Sequence, residues 1–336
     1  PWDAADYLPL DLPWKVSKAL DSITPRALIL INRELWPELL VQAQRRNIPV
    51  FLFSAFFPPH KTKMLKVWPP YLKLLKCVGT VGESSTQWVL RALQEHKPLG
   101  TKPDFQAPPQ GTEASPQVFS IGDTRVERVL ERRSLQLTPP AWSDFLNQRP
   151  LMVGASLWKE DFEALKLALA ETGIQNSGWR FCLVPHEPQE DFISSIKNWG
   201  KNKGILFRRF SHFLETPDDF SPLIMDRVGL LAELYRFSSL AFVGGSFKSR
   251  VHNVLEPAAY KNAIITGPFI QNSFEATEMA RLKSGLLSVD SSQKARDAIL
   301  NRMSNVSLLK SEGEAAFNYL MEHQGASRKY CDLLLD

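Results

Sequence analysis

The chain is poor in the features that mark several common classes of protein. It has 3 cysteines in 336 residues, Cys77, Cys182 and Cys331, and their wide separation fits neither zinc spacing nor a disulfide framework. No apolar run approaches the roughly 20 residues that a helix needs to cross a bilayer, and the sequence predicts no signal peptide. A net charge of +4 is too small to indicate nucleic-acid binding by itself. These absences favour an ordinary globular protein with reduced thiols.

The composition is typical of a chain that folds around a sizeable core. Hydrophobic residues make up 44% of the chain and charged residues 23%, which argues against global disorder. A length of 336 residues predicts two domains of ordinary size.

Short apolar strands alternate with amphipathic helices along nearly the whole chain. This alternation is typical of parallel sheets that are covered by helices. The predicted strands span 27–31, 50–53, 77–81, 118–121, 151–154, 180–184, 204–209, 223–225, 239–243 and 263–266. The predicted helices span 35–45, 86–95, 126–133, 159–172 and 312–335. The fold class is therefore predicted to be α/β, with two Rossmann-like, doubly wound domains and a cleft between them.

Composition also predicts where the domains meet. Residues 98–117 are rich in Pro, Gly, Gln and Thr, which indicates a surface loop. A charged helix at 126–133 then precedes a second series of strands and helices. We therefore predict an N-terminal domain over 1–128, a C-terminal domain over 129–311, and a C-terminal helix over 312–336.

Residues 241–275 form the most informative segment. An apolar strand ends in Gly244-Gly245-Ser246, where the backbone can approach a ligand closely. A helix start that carries Glu256 follows, and a second strand then ends at another glycine. Because such an arrangement presents backbone N–H groups to a phosphate, and an acid in the helix can accept hydrogen bonds from ribose, the segment predicts nucleotide binding. It does so without a Walker loop or a Gly-x-Gly-x-x-Gly motif.

Eight short motifs follow one another in a fixed order. They include Glu-Leu-Trp-Pro at 34–37, Phe-Val-Gly-Gly-Ser at 242–246 and His-Asn-Val-Leu-Glu-Pro at 252–257, and the others lie at 7–13, 122–125, 184–186, 226–231 and 267–268. In order and spacing, this set resembles the 3-deoxy-D-manno-octulosonic acid (Kdo) transferases, which are GT-B type glycosyltransferases. Each motif is weak alone, but the ordered set is specific, and the resemblance runs along nearly the whole chain.

The resemblance implies both an activity and a location. The chain would transfer Kdo from the donor CMP-Kdo to a hydroxyl of a lipid A precursor, with inversion, in lipopolysaccharide biosynthesis. It would need no cofactor and no metal, and it would bind no nucleic acid. It would act at the cytoplasmic face of the bacterial inner membrane, either peripherally or through an anchor that this chain lacks.

The resemblance also implies that 1–128 is the acceptor-side domain and that 129–311 is the nucleotide-sugar-binding domain, with a nucleotide-binding set of residues in the latter. Pro185 and His186 would line the CMP site, and the backbone of the 228–230 segment would meet the cytosine. The start of the helix after Asn253 would hold phosphate and ribose, with Glu256 on the ribose hydroxyls. The whole predicted set consists of Pro185, His186, Val228, Gly229, Leu230, Gly244, Gly245, Ser246, His252, Asn253, Val254, Leu255 and Glu256.

The catalytic base is not assigned within this chain. In the family it is the Glu of a Ser-x-Gly-Glu motif, which the resemblance places before Pro1, so the N-terminal domain is expected to be incomplete. Glu83 stands in a similar Val-Gly-Glu sequence, but after a later strand. A residue without a catalytic role is therefore the favoured interpretation of Glu83. Arg125, Glu34 and His60 remain weak candidates for the catalytic group.

Residues 60–76 contain five lysines and no acid, interleaved with Trp, Tyr, Leu and Met. One interpretation is a solvated helix over the core. Lysines beside aromatic residues also suit an anionic membrane surface, and contact with membrane or acceptor is favoured.

Two other functions stay open. The chain could be a catalytically impaired relative that binds a nucleotide sugar, or a GT-B transferase that uses another donor, because motif spacing does not identify the base. The number of Kdo residues added and the oligomeric state are not predicted.

Overall fold

The computed structural model describes residues 5–58, 67–94, 115–135, 149–171, 178–215 and 221–335. It divides into two compact units. The first consists of Pro1–Thr124 together with Gly325–Asp336, and the second of Arg125–Gln324.

The first unit is built on a sheet of four parallel strands in the order β1-β2-β3-β4. The strands are Leu28–Ile31 (β1), Val50–Ala55 (β2), Cys77–Thr80 (β3) and Gln117–Ser120 (β4). The helices between them are Pro13–Ile23 (α1), Pro37–Arg45 (α2), Pro69–Leu72 (α3) and Glu83–Gln94 (α4). β2 and β3 are buried at every position, as expected for inner strands of a parallel sheet.

The C-terminal helix of the chain packs on this first sheet. Its Tyr330 is buried, and its ring stacks on Phe53 with centroids 4.2 Å apart. The Tyr330 hydroxyl donates to the carbonyl of Gly122 and accepts from the N–H of Ser54, both at 2.9 Å. A Cβ on Gly79 would overlap the tyrosine ring, so a side chain at that strand position would displace the helix.

The second unit is built on seven parallel strands in the order β11-β10-β9-β5-β6-β8-β7. The strands are Leu151–Leu157 (β5), Arg180–Pro185 (β6), Arg208–Arg209 (β7), Leu223–Ile224 (β8), Ser238–Val243 (β9), Ala263–Thr266 (β10) and Leu286–Ser288 (β11). The first two strands along the chain pair with each other, and β9 then pairs on the other flank of β5. The winding therefore reverses between β5 and β9, which is where ligands bind in open sheets of this kind.

Helices cover both faces of the seven-stranded sheet, so its inner strands read as apolar runs. Residues from the helices Lys159–Glu171 (α6), Glu190–Asn202 (α7) and Ser292–Ser304 (α12) pack in one core cluster. The opposite cluster takes residues from Arg125–Ser134 (α5), Phe210–Phe213 (α8), Leu231–Phe237 (α9), Leu255–Ala259 (α10), Phe274–Leu282 (α11) and Val306–Glu322 (α13).

The predicted α/β class with parallel sheets is confirmed, and most strands lie within two residues of their predicted limits. Three details differ. The predicted strand at 204–209 is reduced to β7, and the three-residue edge strand β11 was not predicted. The predicted last helix is two helices, α13 and Ala326–Leu335 (α14), separated at Gly325, whose φ of 99° does not suit a continuous helix.

The two units also differ from the predicted domain limits. Helix α5 lies in the second unit rather than at the end of the first, and α14 returns to the first unit instead of forming a separate C-terminal element. No helix in the described ranges is both long enough and apolar enough to cross a membrane.

Candidate functional site

The candidate site lies in the second unit, at the carboxyl ends of β5, β6, β8 and β9. At the end of β5 the pairing register shifts between Gly154 and Leu157, and Ser156 adopts a φ of 50°. This turn leads into α6, and Asp161 in the first turn of that helix is completely buried.

The Asp161 carboxylate joins the turns that follow β5 and β9. It accepts backbone N–H groups from Trp158 at 2.9 Å, from Gly245 at 2.7 Å and from Phe247 at 3.0 Å. Burial raises the pKa of Asp161, and the three N–H donors oppose that rise. The carboxylate therefore fixes the edge of the sheet at the point where the winding reverses. The sequence analysis missed this residue, whose only signal was an acid in a first helical turn after a strand.

Several hydrogen-bonding groups of the glycine turn after β9 are used within the protein. The Gly244 N–H donates to the carbonyl of Ala155, and Gly245 donates to Asp161 with a φ of 76°. Ser246 is fully buried, and its hydroxyl donates to Val243 and accepts from the N–H of Gly267. The N–H groups of Gly244 and Gly245 and the hydroxyl of Ser246 therefore shape the turn, and nucleotide binding by these three residues stays a prediction.

The structure brings two predicted histidines from separate motifs into contact. The rings of His186 and His252 stack with centroids 4.4 Å apart, and His186 stacks on Trp158 at 4.8 Å. Lys248 covers the ring of Trp158, with its Nζ 3.2 Å from the ring centroid. Trp158 was not predicted, and it is the residue that links the turn after β5 to both histidines.

The hydrogen bond between Trp158 and His252 defines the state of the histidine. The indole Nε1–H donates to His252 Nε2 at 3.2 Å, so that nitrogen carries no proton. Burial, His186 and Arg250 together lower the pKa of His252 from 6.5 to about 4. His252 is therefore a neutral imidazole near pH 7, with Nδ1–H as its available donor.

The lowered pKa of His252 predicts a loss of stability in acid. The unfolded chain binds a proton on this histidine below pH 6.5, whereas the folded chain binds it only near pH 4. We expect the free energy of unfolding to fall as the pH drops across this window, by at most roughly 3 kcal/mol. Urea unfolding of the protein and of His252→Gln at pH 7 and pH 4.5 measures the difference.

The matched control for that experiment is His212→Gln, because His212 is exposed in the same unit. This variant should keep the full pH dependence, while His252→Gln should flatten it. An equal slope in all three proteins would contradict the neutral, hydrogen-bonded His252.

The loop from Val251 to Glu256 is held from two sides. The side chain of Asn272 accepts the N–H of Val251 and donates to its carbonyl, both at 2.9 Å. Asn253 is exposed, and its Oδ1 accepts the N–H of Leu255 at the start of the five-residue helix α10. Val254 and Leu255 are fully buried, so of these two residues only the backbone could meet a ligand.

Glu256 lies in the first turn of α10 and is largely buried. Burial raises the pKa of its carboxyl, and Arg132, whose Nη1 lies 3.9 Å from Oε1, opposes the rise. The same arginine lies 3.9 Å from Glu233. Because Arg132 lies beyond hydrogen-bond distance, the Glu256 carboxyl can accept hydrogen bonds from sugar hydroxyls.

The remaining predicted nucleotide contacts lie on neighbouring strand ends. Pro185 is buried at the end of β6, and the exposed His186 is tied by its N–H to Leu157. Beyond β8, Val228 is 79% exposed and Gly229 has a φ of 86°, so Leu230 follows a tight, solvent-facing turn. The exposure of this turn leaves its backbone accessible.

The weak catalytic candidates are not brought together into one site. Arg125 forms an ion pair with the buried Glu275, with Nη2 3.2 Å from Oε1, within the second unit. Glu34 is exposed just beyond β1, and His60 lies outside the described residues. Glu83 is exposed in the first turn of α4, where it accepts from Gln87. No clustered group of three His, Cys, Asp or Glu side chains suited to a metal occurs in the ranges described above.

The part of the Lys-rich segment that the structure describes, 67–76, does not present its leucines to solvent. Leu72, Leu74 and Leu75 are buried in the core of the first unit, and Lys76 lies over the ring of Phe51. For these residues, covering the core is the better interpretation.

Comparison with known proteins agrees with the fold and the motifs. UDP-GlcNAc 2-epimerase from Neisseria meningitidis superposes with a TM-score of 0.63 at 13% identity, over 96% of this chain and 79% of that one. That similarity concerns the fold alone, the two-unit α/β architecture that is typical of GT-B proteins. The relatives described next are named as transferases of a sugar, which is a glycosyltransferase activity.

One family model and two relatives make the sequence similarity more specific. A family model described as 3-deoxy-D-manno-octulosonic-acid transferase (kdotransferase) matches residues 2–96. The 3-deoxy-D-manno-octulosonic acid transferase of Haemophilus influenzae is 28% identical over 335 residues, covering 98% of this chain and 73% of that protein. The enzyme of the same name from Bordetella pertussis is 23% identical over 338 residues, with 98% and 73% coverage. The predicted resemblance to Kdo transferases is thereby confirmed.

Proposed function

We propose that this chain transfers Kdo from CMP-Kdo to a hydroxyl of a lipid A precursor, with inversion and without a metal, at the cytoplasmic face of the bacterial inner membrane. The observation that carries the proposal is the stacking of His186 on His252. This contact brings together, at one edge of one sheet, two of the motifs that resemble Kdo transferases. The choice of Kdo as the transferred sugar rests on the names of the relatives.

The donor site is assigned to the carboxyl edge of the second sheet from β9 to β8. The exposed 228–230 turn offers backbone groups to the cytosine, and the Glu256 carboxyl accepts hydrogen bonds from ribose hydroxyls. The neutral His252 donates its Nδ1–H toward a phosphate oxygen. Binding therefore relies on hydrogen bonds, and His252 itself adds no charge.

The transfer is a single displacement at the anomeric carbon. The acceptor hydroxyl oxygen forms the new bond on one face while the bond to the CMP phosphate oxygen breaks on the other, which inverts the configuration. The hydroxyl proton passes to a general base, which we do not assign to a residue of this chain. The departing phosphate gains negative charge, and fixed donors such as His252 Nδ1–H stabilise that charge.

The ribose assignment is tested by calorimetry with CMP and with 2′,3′-dideoxy-CMP. In Glu256→Gln we expect CMP affinity to fall about tenfold or more, because a hydrogen bond to a charged group contributes roughly 1.5–3 kcal/mol. The dideoxy nucleotide should bind the unchanged protein weakly and should lose little further affinity in the variant. The control is Glu278→Gln on α11, which should bind CMP normally.

Two results would count against the proposal in different ways. An unchanged CMP affinity in Glu256→Gln would remove the ribose assignment, and a protein that binds no CMP would remove the donor itself. Incubation with CMP-Kdo and a lipid A precursor should yield a Kdo-lipid product. CMP binding without product would instead identify a nucleotide-sugar-binding relative.

The acceptor side of the proposal concerns an anionic surface. A phosphorylated, acylated acceptor lies in a membrane, and lysines of residues 60–76 would be attracted to its headgroups. Because the buried leucines of that segment belong to the core, this attraction would be electrostatic and would weaken as salt is added.

A further inference from the structure

A second edge of interest lies in the first unit, where β1 and β2 end side by side. Asn32 follows β1 with a φ of 63°, and Ser54 lies near the end of β2 with a φ of 51°. Both residues are in the left-handed region, which costs energy for any residue other than glycine and persists where the surroundings enforce it. The carboxyl edge of this sheet is thus shaped by two unusual backbone positions on adjacent strands.

The surroundings hold both positions firmly. The Asn32 N–H donates to the carbonyl of Phe53 at 2.8 Å, so the chain stays attached to β2 as it turns. The N–H of Ser54 donates to the Tyr330 hydroxyl, and the Ser54 hydroxyl lies 3.2 Å from that of Thr124. The backbone at this edge is therefore held in place by hydrogen bonds.

Arg33 follows Asn32 at this edge of the sheet. Its guanidinium carbon lies 5.7 Å from the centroid of the buried Phe56 ring at the end of β2. Phe57, the next residue, stacks on Trp88 with centroids 4.4 Å apart, and its N–H donates to Ser85. These contacts of Phe57 hold the chain next to Phe56 in place.

The charge of Arg33 has no partner of opposite sign at ion-pair distance in the part of the chain that the structure describes. Its contacts are the Phe56 ring and the more distant charge of Glu34. Burial lowers the pKa of the guanidinium, yet an arginine stays protonated in proteins. A partly buried cation without a counter-ion costs free energy, which an anionic ligand would offset.

We propose that Arg33 forms an oxyanion subsite at the carboxyl edge of β1 and β2, which takes a phosphate monoester or a carboxylate of a sugar. The planar guanidinium presents parallel N–H donors that match two oxygens of such a group, and the Phe56 ring lies beside it. The position of ligand sites at the carboxyl ends of parallel strands supports the same edge. The identity of the sugar rests on the proposed function, whereas the anion chemistry does not.

The experiment follows the Arg33 Nε–H resonance by ¹H–¹⁵N NMR on the whole chain, assigned by its loss in Arg33→Lys. The probes are glucosamine 6-phosphate, free Kdo and uncharged glucosamine. We expect one anionic probe to shift the resonance saturably and glucosamine to leave it in place. A response to the phosphate ester indicates an acceptor phosphate, and a response to Kdo indicates the carboxylate of the donor sugar.

Variants separate the subsite from general charge. Arg33→Gln should weaken binding of the responding probe at least tenfold, measured on backbone resonances near Phe56, and Arg33→Lys should weaken it severalfold. Arg26→Gln is the control, because Arg26 is exposed just before the amino end of the same strand, and it should bind normally. Equal binding by Arg33→Gln, or no response to either anion, would overturn the proposal.

The outcome is independent of the donor site. CMP titrated into the same samples reports on the second unit, so loss of the proposed function appears as absent CMP binding with the anion response intact. Failure of the Arg33 subsite appears as the reverse.

Discussion

Replacement of Asp161 by Asn is expected to destabilise the second unit by about 2–3 kcal/mol, and replacement by Ala by about 3–5 kcal/mol. Three backbone N–H groups converge on the two oxygens of this buried carboxylate. An asparagine offers one oxygen, so its amide N–H₂ would face at least one of these donors. Alanine would leave all three N–H groups without an acceptor in a dry environment.

The variants should also lose CMP affinity, because the turns that carry Trp158 and Gly245 would no longer be fixed. Urea unfolding and calorimetry on the same preparations measure both effects. Asp191→Asn is the matched control, since Asp191 is also an acid in the first turn of a helix but is exposed. If Asp161→Asn were as stable as this control, the carboxylate would not be what holds the turns after β5 and β9 together.

Gly245→Ala is the second substitution with a large expected effect. The φ of 76° at this position already disfavours a side chain, at roughly 1–2 kcal/mol. A Cβ would in addition overlap the carbonyl oxygen of Arg250 and lie 2.8 Å from Cδ2 of His252. Because one obstacle is backbone, the loop must move, and we expect at least 3 kcal/mol of destabilisation in total.

The chain provides a close control in Gly204→Ala. Gly204 has a φ of 70°, but an added Cβ would meet nothing within 4 Å. The two variants therefore share the conformational cost and differ in the overlap. Gly245→Ala should weaken CMP binding at least tenfold by displacing His252, whereas Gly204→Ala should bind CMP normally. Equal losses of stability in the two variants would show that the overlap is relieved at no cost.

The fold was largely predictable because its signals are local. Apolar runs such as 239–243 and 263–266 are strands on composition alone, and both strands lie where the sequence placed them. The edge strand β11 was missed because only the first of its three residues is buried, whereas the two residues of β8 are both buried and were predicted. The division of the last predicted helix depends on packing as well, since α13 covers the second sheet while α14 lies on the first.

The site was predictable to a lesser degree. Motif order located the turns at His186 and at His252, but a motif does not reveal which backbone groups are already used. In the glycine turn, for example, Ala155 and Asp161 accept the N–H groups of Gly244 and Gly245, which the sequence motif does not reveal. Trp158 and Asn272 carried no signal, because a single aromatic or amide side chain gains its role only from the partner it contacts.

The sequence by itself determined the α/β class, the positions of most strands and the resemblance to Kdo transferases, because each depends on apolar periodicity or on residues adjacent along the chain. Only the tertiary structure decided that Asp161 connects two turns, that His252 is neutral, and that the Arg33 guanidinium lies near the Phe56 ring. These properties depend on burial and on contacts between residues distant in the chain, and strand order, which no local pattern encodes, brings those residues together.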